Sequence, residues 1–150
     1  VSADRALPNV RVLTAAPLPV GPRLARGWRI SAYEAAGAVA RLGRGSRAVD
    51  ALLAAARVRR GAFVGAWNPL SRMMPRRWND RMLDRLRVLA RRAGLRFHDG
   101  RGHAARPAWV EEHLLILGDL RPVIVLARRF RQHAVLRVRL RAPSRLLVLR

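Results

Sequence analysis

Gly61-Ala62-Phe63-Val64-Gly65-Ala66-Trp67-Asn68-Pro69-Leu70-Ser71, followed eight residues later by Asn79, is the stretch on which the fold turns. Residues 62–67 are a short uncharged apolar run, which reads as a buried strand. Asn68-Pro69 ends it, because proline cannot continue a ladder. A helix is then expected to open at Asn79, with Asn79 as its cap and Asp80 in its first turn. A buried strand that delivers amide and hydroxyl groups to its own tip is a common way of building a binding site.

Working outward, Trp78 and Leu83 have the spacing of a hydrophobic staple at that helix start. Met82, Leu83, Leu86, Leu89, Ala90 and Ala93 form its buried face, and Gly94 is a natural stop. Residues 95–98 read as a short strand and 99–107 as a polar loop. Residues 113–117 read as an apolar strand ending at Gly118. Asp119 caps a third helix whose core side is Val123, Leu126, Ala127 and Phe130, with Pro122 tolerated in the first turn. Residues 134–140 alternate, Leu136, Val138 and Leu140 against Arg137, Arg139 and Arg141, and 146–149 is a last strand after the turn at 142–144.

Upstream, Ser46 caps a helix through Val49, Leu52, Leu53 and Ala56 to about Val58. Residues 28–33 alternate as a half-buried strand, Ala36-Gly37 turns, and 38–42 returns. Residues 1–27 carry Pro8, Pro17, Pro19 and Pro22. They read as an extended or disordered leader to a single α+β domain over 28–150. The order ββαβαββαββ predicts a mixed, largely antiparallel sheet packed against about three helices. The arginine face of 134–140 predicts a sheet covered on one side only.

The chain has 150 residues, no cysteine and a formal charge of +22. Disulfides and thiolate metal sites are thereby excluded, and the composition fits a reducing, cytoplasmic setting. No uncharged apolar run reaches the length of about 18 residues that a membrane span needs. All 31 basic residues are Arg, only nine residues are acidic, and none of the acids lies beyond Asp119. GC-rich coding explains Arg replacing Lys. It does not explain the excess of positive charge, which would suit a nucleic acid or another polyanion.

Four motifs also resemble a bacterial family, the domain of unknown function 3293. They are Ala66-Trp67-Asn68-Pro69-Leu70-Ser71, Asn79, Trp109-Val110-Glu111-Glu112 and Phe130-Arg131-Gln132. The family pattern reads Thr-Ala-Trp-Asn-Pro, a later helix-opening Asn, Trp-Pro-Glu-Pro-Ser and Phe-Gly-Gln-Asn-Ala. This chain departs from it at Gly65, Val110, Glu112, His113, Arg131 and His133. The resemblance spans roughly residues 30–149 and implies an uncharacterised protein with no established reaction.

Asn68 follows its strand, whereas Glu111 and Gln132 precede theirs. The last two of those strands are joined through a helix and should run parallel. If the strand at 62–67 runs antiparallel to both, Asn68, Glu111 and Gln132 meet on one rim of the sheet. Ser71, Arg72 and Asn79 would join them, and the helix-start amides at 79–81 would favour an anion. The plainer alternative is that Asn68 caps a turn, Glu111 pairs with an Arg, and Gln132 satisfies buried backbone.

Other chemistries find little footing. His98, His103 and His113 show no metal-ligand spacing, so no metal is expected, and no cofactor motif is present. There is no nucleophile elbow. Ser71 with His98 or His113 rests on residue type alone. Without Lys, phosphate-loop, Schiff-base and kinase mechanisms fall away. Trp67 and Trp109 could stack on a ligand ring, but they read more readily as core lids.

Two main functions remain. One is a basic, non-catalytic module that binds nucleic acid or another polyanion through Arg128, Arg129, Arg131, Arg137, Arg139 and Arg141, with Arg76, Arg77 and Arg81 as a second patch. The other is a small-molecule-binding domain or enzyme in which Glu111 is the general base and Asn68 and Gln132 orient the substrate. A structural partnership with an acidic protein is a third reading. Neither the catalytic residues nor the oligomeric state can be read from the sequence.

Overall fold

The computed structural model describes residues 10–12 (backbone only), 20–106 and 108–149. Its elements run β1 (Val10–Val12), α1 (Pro22–Ile30), β2 (Ala32–Ala35), β3 (Ala38–Ala40), α2 (Arg47–Ala55), β4 (Arg60–Gly65), α3 (Arg76–Arg92), β5 (Arg96–Ala105), β6 (Ala108–Leu117), α4 (Leu120–Arg129), β7 (Ala134–Arg139) and β8 (Arg145–Val148), with a 3-10 turn at Pro69–Ser71. The strands form one sheet in the order β1-β8-β7-β4-β6-β5-β2-β3. Every strand pairing in it is antiparallel except β1 with β8. From β2 onward the element order is the one expected, and the fold is α+β.

The core has two halves, one on each face of the sheet. Ala62, Val64, Leu114, Ile116, Val135 and Leu147 face α3 and α4, which contribute Leu83, Leu86, Val123 and Ala127. Phe63, Leu115, Leu136, Val138, Leu146 and Tyr33 face the other way, onto Val49 and Leu53 of α2. β4 is buried on both faces, as its uncharged run requires. The sheet curls around the α2 side until Leu42, just after β3, bridges to Ser144, just before β8.

A sheet covered on one side only is therefore not what forms. The alternation at 134–140 is real, but α4 lies over β4 and β7 on the arginine face. Arg137 is half-buried there, and exposure begins at Arg139, at the strand end, and Arg141 beyond it.

Four boundaries also differ from the sequence reading, each for a local reason. Residues 28–30, expected in a strand, are the last turn of α1. Pro22 at its first position preorganises that helix, and the Ser31 hydroxyl donates back to the Gly27 carbonyl. Residues 22–27, expected in the leader, form its first turns, while 1–9 and 13–19 lie outside the described residues. α3 begins at Arg76 behind Pro75, so Asn79 lies inside the helix and its amide donates to the Pro75 carbonyl at 3.0 Å. The expected loop at 99–107 is instead mostly β5, paired along its whole length with β6. Pairing supplied by the partner strand outweighs the turn propensity of Gly100 and Gly102. Glu111 consequently sits within β6 rather than ahead of a strand.

Candidate functional site

β4 lies between β6 and β7 and runs antiparallel to both, with Gly65 opposite His113 and Phe63 opposite Leu136. The C-terminal tip of β4 therefore meets the N-terminal halves of its two neighbours. Asn68, Glu111 and Gln132, far apart in the chain, are side by side on that rim. They line a cleft of about 80 Å³ whose other walls include Trp28, Tyr33, Phe63 and Trp109.

Asn68 holds the site together. It adopts a left-handed backbone (φ 45°, ψ 68°), a conformation asparagine tolerates better than most residues. Its own N–H donates to Asn79 Oδ1 at 3.0 Å. Its Oδ1 accepts from Asn79 Nδ2 and from the Met74 amide, both at 3.0 Å. Its Nδ2 donates to Glu111 Oε1 at 2.8 Å. Asn79, buried at 3% exposure, is thus the support behind Asn68 and caps nothing. The following turn is strained: Leu70 (φ 50°) and Ser71 (φ 62°) are also left-handed. Such residues cost roughly 1–3 kcal/mol each and cluster at binding and catalytic sites. The turn is fastened by the Leu70 amide, which donates to the Arg131 carbonyl at 2.7 Å.

Gln132 faces the same way but serves the loop. Its Nε2 donates to the Trp67 carbonyl at 3.0 Å and the Phe130 carbonyl at 3.1 Å. Ser71 lines the cleft, and its Oγ lies 3.0 Å from Nδ1 of His133 rather than near His98 or His113. Arg72 is exposed and does not line the cleft. The helix-start amides expected to bind an anion at 79–81 are not a helix start at all, because α3 has already begun.

His113 is the main residue that sequence reasoning undervalued. Its ring lies beneath the cleft, with Nε2 3.6 Å from Glu111 Oε2. Tyr33 stacks on it at 5.8 Å between centroids and 14° between planes. The ring fits only because both flanking strands carry glycine beside it. A Cβ on Gly65 would meet His113 Cδ2 at 2.9 Å, and one on Gly102 would meet Cε1 at 2.7 Å. Glycine inside a strand marks such close approaches, and that signal was present in the sequence. Two buried polar atoms here have no protein partner, Nδ1 of His113 and the indole Nε1 of Trp67. Trp67 is otherwise the core lid expected, with the Arg76 guanidinium 5.0 Å above its ring.

Burial, and secondarily the negative charge of Glu111, hold the Tyr33 phenol well above its ordinary pKa, with the hydrogen bond to Ser31 acting the other way. The stability this represents is fully present below the unfolded phenol value of about 10 and is lost as pH rises above it, because only the unfolded state then releases the proton. Unfolding free energies measured in urea should accordingly fall above about pH 10, by up to roughly 1.4 kcal/mol per pH unit. Tyr33→Phe should flatten that limb; an equally steep limb in the variant would assign the effect to other groups.

The candidate polyanion residues do not gather in this way. Arg128, Arg129, Arg131, Arg139 and Arg141 are exposed, and Arg137 is half-buried. Exposed arginines also occur on all four helices. Arg76 is engaged by Asp80 and Glu112, while Arg77 and Arg81 are exposed on α3. Among the described residues no group of three His, Asp or Glu side chains could hold a metal ion, and no helix is long and apolar enough to cross a membrane.

Residues 64–135 match the model of a family described as a protein of unknown function, DUF3293. That segment is a DUF3293 domain match. The matched segment runs from inside β4 to the start of β7 and carries Asn68, Ser71, Asn79, Glu111, His113, Gln132 and His133. Trp28 and Tyr33 reach the cleft from outside the DUF3293 segment. No curated protein and no solved structure matches the chain.

Proposed function

We propose that this chain binds a small polar molecule in the cleft between the tips of β4, β6 and β7, with Glu111 as its anchoring or proton-accepting group. The observation that carries the reading is a cleft that holds a fixed carboxylate and is lined by two residues, His113 and Trp67, each with a buried polar atom (Nδ1 and Nε1) that has no hydrogen-bond partner. Leaving such groups unpaired costs roughly 1–3 kcal/mol each, a cost that a ligand with matching groups would offset. Asn68 supports the carboxylate and His113 faces its second oxygen. The strained turn at 68–71 adds weight, since strain of this kind persists where a site needs it.

A thermal-shift screen of polar metabolites, with Glu111→Ala as control, tests this. A ligand at about 100 times its Kd should raise the melting temperature by roughly 5–10 °C, and the shift should vanish in the variant. Uniformly flat responses would remove the reading.

The basic-module alternative draws on the charge of +22 and the acid-free stretch after Asp119. It has less behind it, because the exposed arginines are spread over all four helices and one of the six proposed contacts is half-buried. Dispersion of this kind is what coding bias would produce.

A further inference from the structure

We infer that Ser71 is a nucleophile activated by His133, and that the cleft hydrolyses esters of small acyl groups. This rests on the cleft being a ligand site and adds a reaction to it.

The two side chains come from opposite ends of the DUF3293 segment and meet only because β4 and β7 pair antiparallel. Their separation of 3.0 Å is hydrogen-bonding distance, as a nucleophile and its base require. With the proton of His133 on Nε2, Nδ1 accepts from the Ser71 hydroxyl. The Trp28 ring stands edge-on to the His133 ring at 6.3 Å and limits its rotation. Ser71 sits on a left-handed backbone (φ 62°) directly after Leu70 (φ 50°). That sharp turn projects Oγ at the cleft rather than along the chain. Its fastening to Arg131, the second residue before His133, ties the nucleophile loop to the base. The leftover donor is the buried indole N–H of Trp67, a residue that itself lines the same cleft. Trp28, Tyr33, Phe63 and Trp109 supply apolar walls, and about 80 Å³ admits a short acyl chain.

In the reaction, Ser71 Oγ attacks the ester carbonyl carbon and its proton passes to His133 Nδ1. The tetrahedral oxyanion accepts from the Trp67 N–H. The bond from carbon to the alcohol oxygen breaks as His133 returns the proton to that oxygen. Water then attacks the acyl-serine, giving its proton to His133. Breaking the acyl–Oγ bond returns the proton to Ser71 and releases the acid. Ester and water thus become acid and alcohol, with no other reactant.

An alkyl fluorophosphonate tests the pair, with fluoride as leaving group and intact-mass and peptide mass spectrometry as readout. One adduct on Ser71 is expected, absent in Ser71→Ala. In His133→Ala the labelling rate should fall at least about 100-fold, with the melting temperature unchanged. Short-chain nitrophenyl esters should show the same pattern in turnover. No adduct on Ser71, or equal labelling of the His133 variant, overturns the inference. If Glu111-dependent ligand shifts persist while Ser71 stays unlabelled, only the nucleophile falls. If Ser71 is labelled but no ligand responds to Glu111→Ala, it is the Glu111 reading that falls.

Discussion

Asn68→Ala should destabilise the protein by roughly 3–5 kcal/mol and abolish ligand responses in the cleft. Three side-chain hydrogen bonds disappear at once: from Asn79 Nδ2, from the Met74 amide, and to Glu111 Oε1. The orphaned partners are wholly or partly buried, and each loses its bond without gaining water, at roughly 1–3 kcal/mol apiece. Alanine also fits the left-handed backbone less well than asparagine, by up to about 1 kcal/mol. Asn68→Asp separates the two jobs of the residue. It keeps both acceptor bonds, so the turn should survive, but it sets a second carboxylate against Glu111. Its stability loss should therefore be smaller than that of Ala, while its ligand response should be equally lost. Urea unfolding at neutral pH measures the first effect and thermal shift the second. Tolerance of Ala within about 1 kcal/mol would mean that the network is not the scaffold described.

The same residues show how far the sequence could be read. The convergence of Asn68, Glu111 and Gln132 was legible because it follows from strand direction alone: one strand leaving the rim and two entering it. The element order was legible for the same reason, since apolar runs and caps such as Ser46 and Asp119 are local signals. What escaped depended on partners. β5 is a strand because β6 pairs with it, although its own glycines argue for a loop. Asn79 looks like a helix cap in sequence, but Pro75 starts the helix earlier and leaves the amide to serve Asn68. His113 has no metal-ligand spacing, and its real signature is the glycines in the neighbouring strands that make room for its ring. In sequence His133 is only a departure from a motif. Nothing in the local sequence says that Ser71 lies against it, because that contact is made by sheet register.

Gly61→Ala should be strongly destabilising, and its comparison with Gly65→Ala separates fold from site. A Cβ at position 61 would lie 2.5 Å from the Ile116 carbonyl oxygen. That oxygen is backbone in the central strand pair, and β4 is held on its other edge by β7. No rotamer can relieve the contact, so β4 must move away from β6 and open both halves of the core, at about 3 kcal/mol or more. At position 65 the new methyl meets only side chains, His113 Cδ2 at 2.9 Å and Gln132 Oε1 at 3.2 Å. These can shift, so the stability cost should stay near 1–2 kcal/mol. The shift, however, displaces the His113 ring and the Gln132 amide from the cleft. Gly65→Ala should therefore fold and lose ligand responses, whereas Gly61→Ala should lose both together. Wild-type stability in Gly61→Ala would show that β4 and β6 are not spaced as described, and with that spacing would go the meeting of Asn68 and Glu111.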